Sequence, residues 1–218
     1  QEYWAFQSRF VLLNYFDQPV GASYTALKNI LKDKNYHIIT TNADNAFDVA
    51  GYDMDKVFHI QGKYGLMQCS KHCHAKTYQD EALMRRLAVE QENMEVDYRS
   101  IPLCPECGAP LEVNKRNAEK GMVEDPIFFE HLDKYNEFLE KNRDKKTLFI
   151  EIGVGFTTPQ FIKYPFYREL DKNPQALMIT MNQKKYQFPE RIASRVLWFN
   201  QNSKDLTLEV EELLEKWK

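Results

Sequence analysis

Residues 147–155 read Thr-Leu-Phe-Ile-Glu-Ile-Gly-Val-Gly, an apolar run of strand length that breaks into a turn flanked by Gly153 and Gly155. Continuous runs of this kind belong to parallel sheets whose two faces are covered by helices. Two more follow, ALMITM at 176–181, which ends at Asn182, and RVLWFN at 195–200. Upstream, YHIIT at 36–40 closes on the polar run TTNADNAF. Open α/β sheets bind ligands beyond the carboxyl ends of their strands, which is where Asn42 and Asp44 fall. Helical patterns lie between the strands. FEHLDKYNEFLEKNR at 129–143 puts Leu132, Tyr135 and Leu139 on one face, and ASYTALKNILKDK at 22–34 spaces Tyr24, Leu27, Ile30 and Leu31 at helical intervals. DLTLEVEELLEKWK at 205–218 aligns Leu206, Val210, Leu213, Leu214 and Trp217. Residues 3–16, apolar on most sides, predict a buried helix. The alternation predicts an α/β fold built on a doubly wound, Rossmann-like parallel sheet.

A length of 218 residues suits one large domain carrying a small insert. Hydrophobic residues at 43% and charged residues at 28% describe an ordinary globular core, and a net charge of −3 gives no footprint for nucleic acid. No apolar run reaches the roughly 18–20 residues a membrane helix needs, and no signal peptide is visible. The expected compartment is therefore the reducing cytoplasm. The sequence opens on Gln1, so residues are expected to precede it.

From 61 to 116 the character changes, and this stretch reads as a module inserted between 1–60 and 117–218. Cys69-x3-Cys73 and Cys104-x2-Cys107 flank a charged helical stretch, QDEALMRRLAVEQEN at 79–93. Two close cysteine pairs supply the four tetrahedral ligands that structural zinc takes, and Pro105 and Gly108 suit a tight knuckle. His72 and His74 lie beside the first pair, and either could replace Cys73. The plainer alternative, four unrelated buried cysteines, sits poorly with their two-by-two clustering. Four protein ligands leave no open position, so the metal would be structural.

The motif order is diagnostic. Thr41-Asn42-Ala43-Asp44, Ala50-Gly51, His59-Ile60-Gln61-Gly62, the cysteine pairs, Gly153-Val154-Gly155 and Asn182 succeed one another as in the sirtuin family, which this chain resembles over essentially its whole length. The resemblance implies NAD as co-substrate. It places Asn42, with Thr41 beside it, beneath the nicotinamide ribose to position the reactants, and Asp44 on the nicotinamide carboxamide. Gly153, Val154 and Gly155 match the turn at the NAD phosphates and adenosine ribose, where glycine lets backbone N–H groups approach an anion. Asn182 matches the residue on the adenosine ribose hydroxyls. Taken alone, Asn42 and Asp44 would read as a turn or helix cap, and the glycines as a plain strand-to-helix turn.

Three departures matter. Gln61-Gly62 stands where the deacylating sirtuins carry His-Gly, and an amide cannot act as their general base. Glu112-Val113-Asn114-Lys115-Arg116-Asn117 replaces the Val-x-Phe-Gly-Glu groove that binds acyl-lysine peptides. The Gly-Ala-Gly-x-Ser phosphate loop and the strand before it are not in the sequence, so the chain is expected to be a fragment lacking its first βα unit, or a truncated form that binds NAD poorly by itself. The first two departures resemble the macrodomain-linked, class M sirtuins. That resemblance implies a protein ADP-ribosyltransferase acting on a lipoylated, glycine-cleavage H-like carrier protein, partnered by a macrodomain protein and tied to oxidative stress. Catalysis is expected from Asn42, Asp44 and Gln61. The alternatives are an NAD-dependent deacylase using His59, two positions before Gln61, and an inactive module that binds nucleotide or carrier; outside the deacylase reading His59 is a partly buried structural histidine. Lys115 and Arg116 could grip a phosphate or acidic carrier, or form a solvated face.

Overall fold

The computed structural model describes residues 1–216. Helix α1 (Glu2–Val11) widens into a π-helical stretch (Leu12–Phe16) and is followed by α2 (Ala22–Leu31), β1 (Ile38–Thr40), α3 (Ala46–Val49), β2 (Val57–His59), β3 (Gly62–Cys69), β4 (Thr77–Tyr78) and α4 (Glu81–Glu90). Then come β5 (Leu111–Lys115), α5 (Pro126–Lys141), β6 (Leu148–Ile152), α6 (Lys163–Lys172), β7 (Leu177–Met181), α7 (Glu190–Ala193), β8 (Val196–Phe199) and α8 (Ser203–Lys216). Of the stripe expected on α8, Trp217 lies outside the described residues, and so do the side chains of Leu206, Leu213 and Leu214. Contacts divide the chain into two compact units, Gln1–Val20 with Thr40–Asp133 and Gly21–Ile39 with Lys134–Lys218. Composition marks only 61–116 as the cysteine module; contacts group that stretch with α1 and with residues 40–60.

The first unit is built on the antiparallel sheet β4-β3-β5, with Met67 opposite both Tyr78 and Val113, and Cys69 opposite Leu111. Its core joins Trp4, Ala5 and Val11 of α1 to Met67, Leu83, Leu87, Leu111 and Val113. Asp80 starts α4 by accepting the Leu83 N–H at 2.8 Å. The helix expected over 3–16 forms, but it is not buried all round. It offers one face to the core and leaves Phe6 and Leu13 exposed. The π-helical stretch lies flush on β3, because a Cβ at Gly65 would meet the Tyr15 ring at 2.2 Å. Polar Gln68 and Asn114 are buried side by side. Gln68 Oε1 accepts from Asn114 Nδ2 and from the Val123 N–H, each at 2.8 Å, which satisfies groups that would otherwise cost stability.

The second unit carries a parallel sheet of β6, β7 and β8 in that order, with Leu148 opposite Leu177 and Met178 opposite Val196. Helix α6 is the crossover between β6 and β7, and its Phe166 and Leu170 pack with Phe149, Met178 and Ile192. Pro165 falls in the first turn of α6, where its missing N–H breaks no helical bond. Lys163 and Glu151 form a fully buried ion pair at 2.5 Å. Glu151 also accepts from Thr180 Oγ1 at 2.9 Å, and the ammonium lies 4.7 Å from the Tyr186 ring centroid. Removing one partner strands a buried charge, so Lys163→Met should cost about 3–5 kcal/mol in urea unfolding. Lys163→Met with Glu151→Leu should recover most of that loss. Equal stability of the single variant and the parent would show that the pair does not anchor α6 to the sheet.

Candidate functional site

Cys69 ends β3 and Cys73 follows in the next turn, while Cys104 and Cys107 form the knuckle ahead of β5. The four sulfur atoms lie within 4.8 Å of one another. Cys69 Sγ is 3.5 Å from Cys107 Sγ, and Cys73 Sγ is 3.6 Å from Cys104 Sγ. Four thiolates at about 2.3 Å from a tetrahedral zinc are themselves about 3.8 Å apart, so this donor set fits one ion. Backbone bonds fold the knuckle: the Gly108 N–H reaches Cys104 O at 2.8 Å, with Gly108 at φ +69. Burial works against a thiolate at Cys69, but the Cys73 and Lys71 amides donate to its sulfur and hold its pKa at about 6. His72 turns away from the sulfurs, with Nε2 accepting from Gln68 Nε2 at 3.0 Å. His74 places Nδ1 3.0 Å from Cys73 Sγ and Nε2 2.6 Å from the Tyr78 hydroxyl, so it braces a sulfur from outside the four. The geometry favours four cysteines over a histidine-substituted set.

In the same unit, Asn42, Asp44 and Gln61 are set by two turns. The Asn42 N–H donates to Thr40 Oγ1 at 3.0 Å, and Asp44 Oδ1 accepts the Ala46 N–H at 3.0 Å to start α3. Thr41 is half-buried, and Asn42 is exposed. Gln61 occupies the β2–β3 turn, where its carbonyl accepts the Arg116 N–H at 3.0 Å. Arg116 also reaches Ile60 O at 3.2 Å and Glu124 at 2.6 Å. It is therefore a brace for this turn and not a solvated charge, whereas Lys115 is exposed. Gly62 is at φ +94 and a Cβ there would lie 2.3 Å from Asn114 O, so only glycine carries Gln61 into place.

His59 takes the second of its two readings, a structural histidine inside the fold. It is 6% exposed. Burial, with the nearby Lys63 charge, pushes its pKa down to about 4 against the raising effect of its bond to Asn42. Its Nδ1 lies 3.0 Å from Asn42 O. A neutral imidazole donating Nδ1–H to a backbone carbonyl holds the Asn42 turn; it is not a base poised near neutral pH. Because the folded pKa lies below the unfolded ~6.5, the unfolded chain takes up the proton first as pH falls, and stability drops between about pH 6.5 and 4. At pH 5 this group should cost about 2 kcal/mol relative to pH 7. Urea titrations of the parent and His59→Gln at both pH values test this, and identical pH dependences would rule out the buried neutral state.

The second unit assembles the other residues. Gly153 N–H donates to Met181 O at 2.9 Å, which seats the turn at the carboxyl ends of β6 and β7. Gly153 has φ +67 and nothing within 4 Å of where a Cβ would stand, so the backbone is open to an approaching anion. Asn182 Nδ2 donates to Val154 O at 3.1 Å, and Asn182 O accepts Trp198 Nε1–H at 3.0 Å. Gly153, Val154, Gly155 and Asn182 thus form one cluster. Each Asn182 amide atom keeps a further bonding direction. The Trp198 strut was not visible in the sequence, since RVLWFN reads only as an apolar strand.

No family profile matches the chain. A Sir2 homologue in complex with ADP-ribose superposes with a TM-score of 0.65 at 15% identity, covering 98% of this chain and 73% of that one. A Sir2 homologue with NAD gives 0.58 at 16% identity, over 92% of this chain and 67% of that one. The chain has the sirtuin fold. This sirtuin-fold chain is 58% identical over 197 residues to a protein ADP-ribosyltransferase of Staphylococcus aureus (strain Mu50), covering 90% of the chain and 62% of that protein. It is 29% identical over 132 residues to a probable bifunctional ADP-ribose hydrolase/ADP-ribosyltransferase of Fusarium oxysporum f. sp. cubense, 58% of the chain and 22% of that protein. It therefore spans under two thirds of the length of either curated relative. No helix among the described residues is long and apolar enough to cross a membrane.

Proposed function

We propose that this chain is the NAD-handling part of a protein ADP-ribosyltransferase. The observation that carries the reading is the 58% identity, over 90% of the chain, to a relative of that name. The site chemistry agrees with it. Bound NAD supplies the ADP-ribosyl group, whose bond to nicotinamide breaks on transfer. Asn42 positions the reactants, Asp44 secures the carboxamide, and Gln61 orients the ribose without taking a proton. Thr41 borders the cofactor beside Asn42, whose turn is held by Thr40 Oγ1. Gly153 makes the turn through its own bond to Met181, Val154 and Gly155 offer backbone donors to phosphate, and Asn182 serves the adenosine ribose. Zinc on Cys69, Cys73, Cys104 and Cys107 would stabilise the unit that carries Gln61.

Transfer to a side chain needs no base for a ribose hydroxyl, because the acceptor brings its own nucleophile and a carboxylate is already ionised. From the class M resemblance we take the acceptor to be a lipoylated, glycine-cleavage H-like carrier, the functional partner a macrodomain protein, and the setting cytoplasmic oxidative-stress defence. The test uses the full-length protein with labelled NAD, the lipoylated carrier, the same carrier without lipoate, and an acetyl-lysine peptide. Label on the lipoylated carrier and an untouched peptide are expected. Label on both carriers alike would remove the lipoyl requirement, and O-acyl-ADP-ribose from the peptide would replace transfer with deacylation.

A further inference from the structure

The second unit has a cleft that its proposed NAD residues do not use. It is an open cleft of about 590 Å³, lined by Phe156, Tyr164, Tyr167 and Phe188 together with Arg168 and Arg191. That volume falls in the range of small-molecule sites, about 300–1,000 Å³. None of Gly153, Val154, Gly155 or Asn182 lines it.

Three observations give the cleft a chemistry. Four aromatic rings offer flat apolar walls to a planar body. Arg168, on the exposed face of α6, has no ion pair or hydrogen bond among the described residues, whereas Arg191 is held by Asp171 at 2.6 Å. An unengaged guanidinium in the same lining as aromatic rings is a ready anion donor. Tyr167 is 5% exposed, yet its hydroxyl has no hydrogen-bond partner. A buried hydroxyl left unmatched is costly, and a bound acceptor would satisfy it. Burial, then the nearby Glu151 charge, raise the Tyr167 pKa to about 12, so at neutral pH the group stays a donor. Glu151 does not repel a ligand at full strength, because Lys163 neutralises it at 2.5 Å.

We infer that this cleft, between α6 and the segment 187–191, binds a small organic anion made of a flat ring and a phosphate or carboxylate. The ring lies against Phe156, Tyr164 and Phe188, and the anion takes Arg168 and the Tyr167 hydroxyl. This site stands whether or not the transferase reading does.

1-Naphthyl phosphate, which fluoresces, is a suitable probe, with 1-naphthol and inorganic phosphate as controls lacking the charge or the ring. The parent should bind the phosphate ester saturably, at least tenfold tighter than either control. Arg168→Gln should weaken it about tenfold, Arg168→Lys less, and Tyr167→Phe a few-fold. Arg168 is exposed, so its variants should keep the parent's melting temperature. Asn182→Ala should leave the affinity unchanged, and excess ADP-ribose should not displace the probe. Equal binding of naphthol would make the cleft an apolar groove and overturn the anion assignment. Displacement by ADP-ribose, indifference to Arg168→Gln, or no saturable binding would overturn the site.

Discussion

Cys104→Ser should leave the protein with about one zinc fewer per chain and strip the cysteine-bearing unit of much of its stability. Structural zinc contributes on the order of 10–16 kcal/mol in isolated finger peptides. Even a third of that, at roughly 2–4 °C per kcal/mol for a chain of this size, lowers the melting temperature by roughly 7–20 °C. Cys104 is itself 2% exposed and packs in the core with Trp4 and Leu111, so part of its loss would be a buried hydroxyl in an apolar place. Cys107 separates the two causes, because it is exposed and lies outside that core. Cys107→Ser should therefore match Cys104→Ser in metal content and come close to it in melting temperature. Elemental analysis of dialysed protein and thermal melts with and without chelator provide the measurements. Unchanged metal in either variant, or a parent indifferent to chelator, would dismantle the four-cysteine site.

Gln61→Ala should reduce ADP-ribosyl transfer in the full-length protein by on the order of 10²-fold, with little change in melting temperature. The magnitude follows from positioning: a reacting group displaced by about 1 Å costs this much, and the Gln61 turn is fixed by Gly62 and Arg116. Gln61→His should not restore the rate, since nothing around that turn was arranged to tune an imidazole. With no titrating base at position 61 and His59 held neutral, the rate should be nearly flat between about pH 6 and 8.5 for a carboxylate acceptor. A fall centred near ~6.5 that disappears in His59→Ala would instead make His59 the working base. Strong deacetylation of a peptide by the parent would overturn the transferase reading.

The parts legible in sequence were those where one physical signal dominated. The strands β6, β7 and β8 are unbroken apolar runs, α5 has a wide apolar stripe, and cysteines grouped two by two point to a single metal ion. Other elements were hidden by polar residues that are buried and satisfied by each other. β3 and β5 contain Gln68 and Asn114, which read as surface residues until each is seen to bond the other. α6 opens on Lys163 and carries Pro165, two residues that argue against a buried helix unless Glu151 and the first-turn position are known. His59 was open to two readings because spacing gives direction but not depth, and depth sets its charge. Phe6 and Leu13 misled in the opposite sense, as apolar residues that remain exposed.

Each compact unit is made of two stretches of chain interrupted by a piece of the other. The Tyr3 hydroxyl accepts the Val113 N–H across 110 residues of sequence, and Trp4 shares its core with Leu111 and Val113. At about 5–20 residues per second, a ribosome needs on the order of 5–20 s to make the intervening chain. Through that interval α1 has emerged without the strand that will cover it, and residues 21–39 are in the same position with respect to 134–218. The molecule thus faces a synthesis-time window in which an aromatic-rich amphipathic segment is open to chaperones, to neighbouring nascent chains and to proteases. Codon usage or chaperone supply across residues 20–113 would then influence yield even where the finished protein is stable.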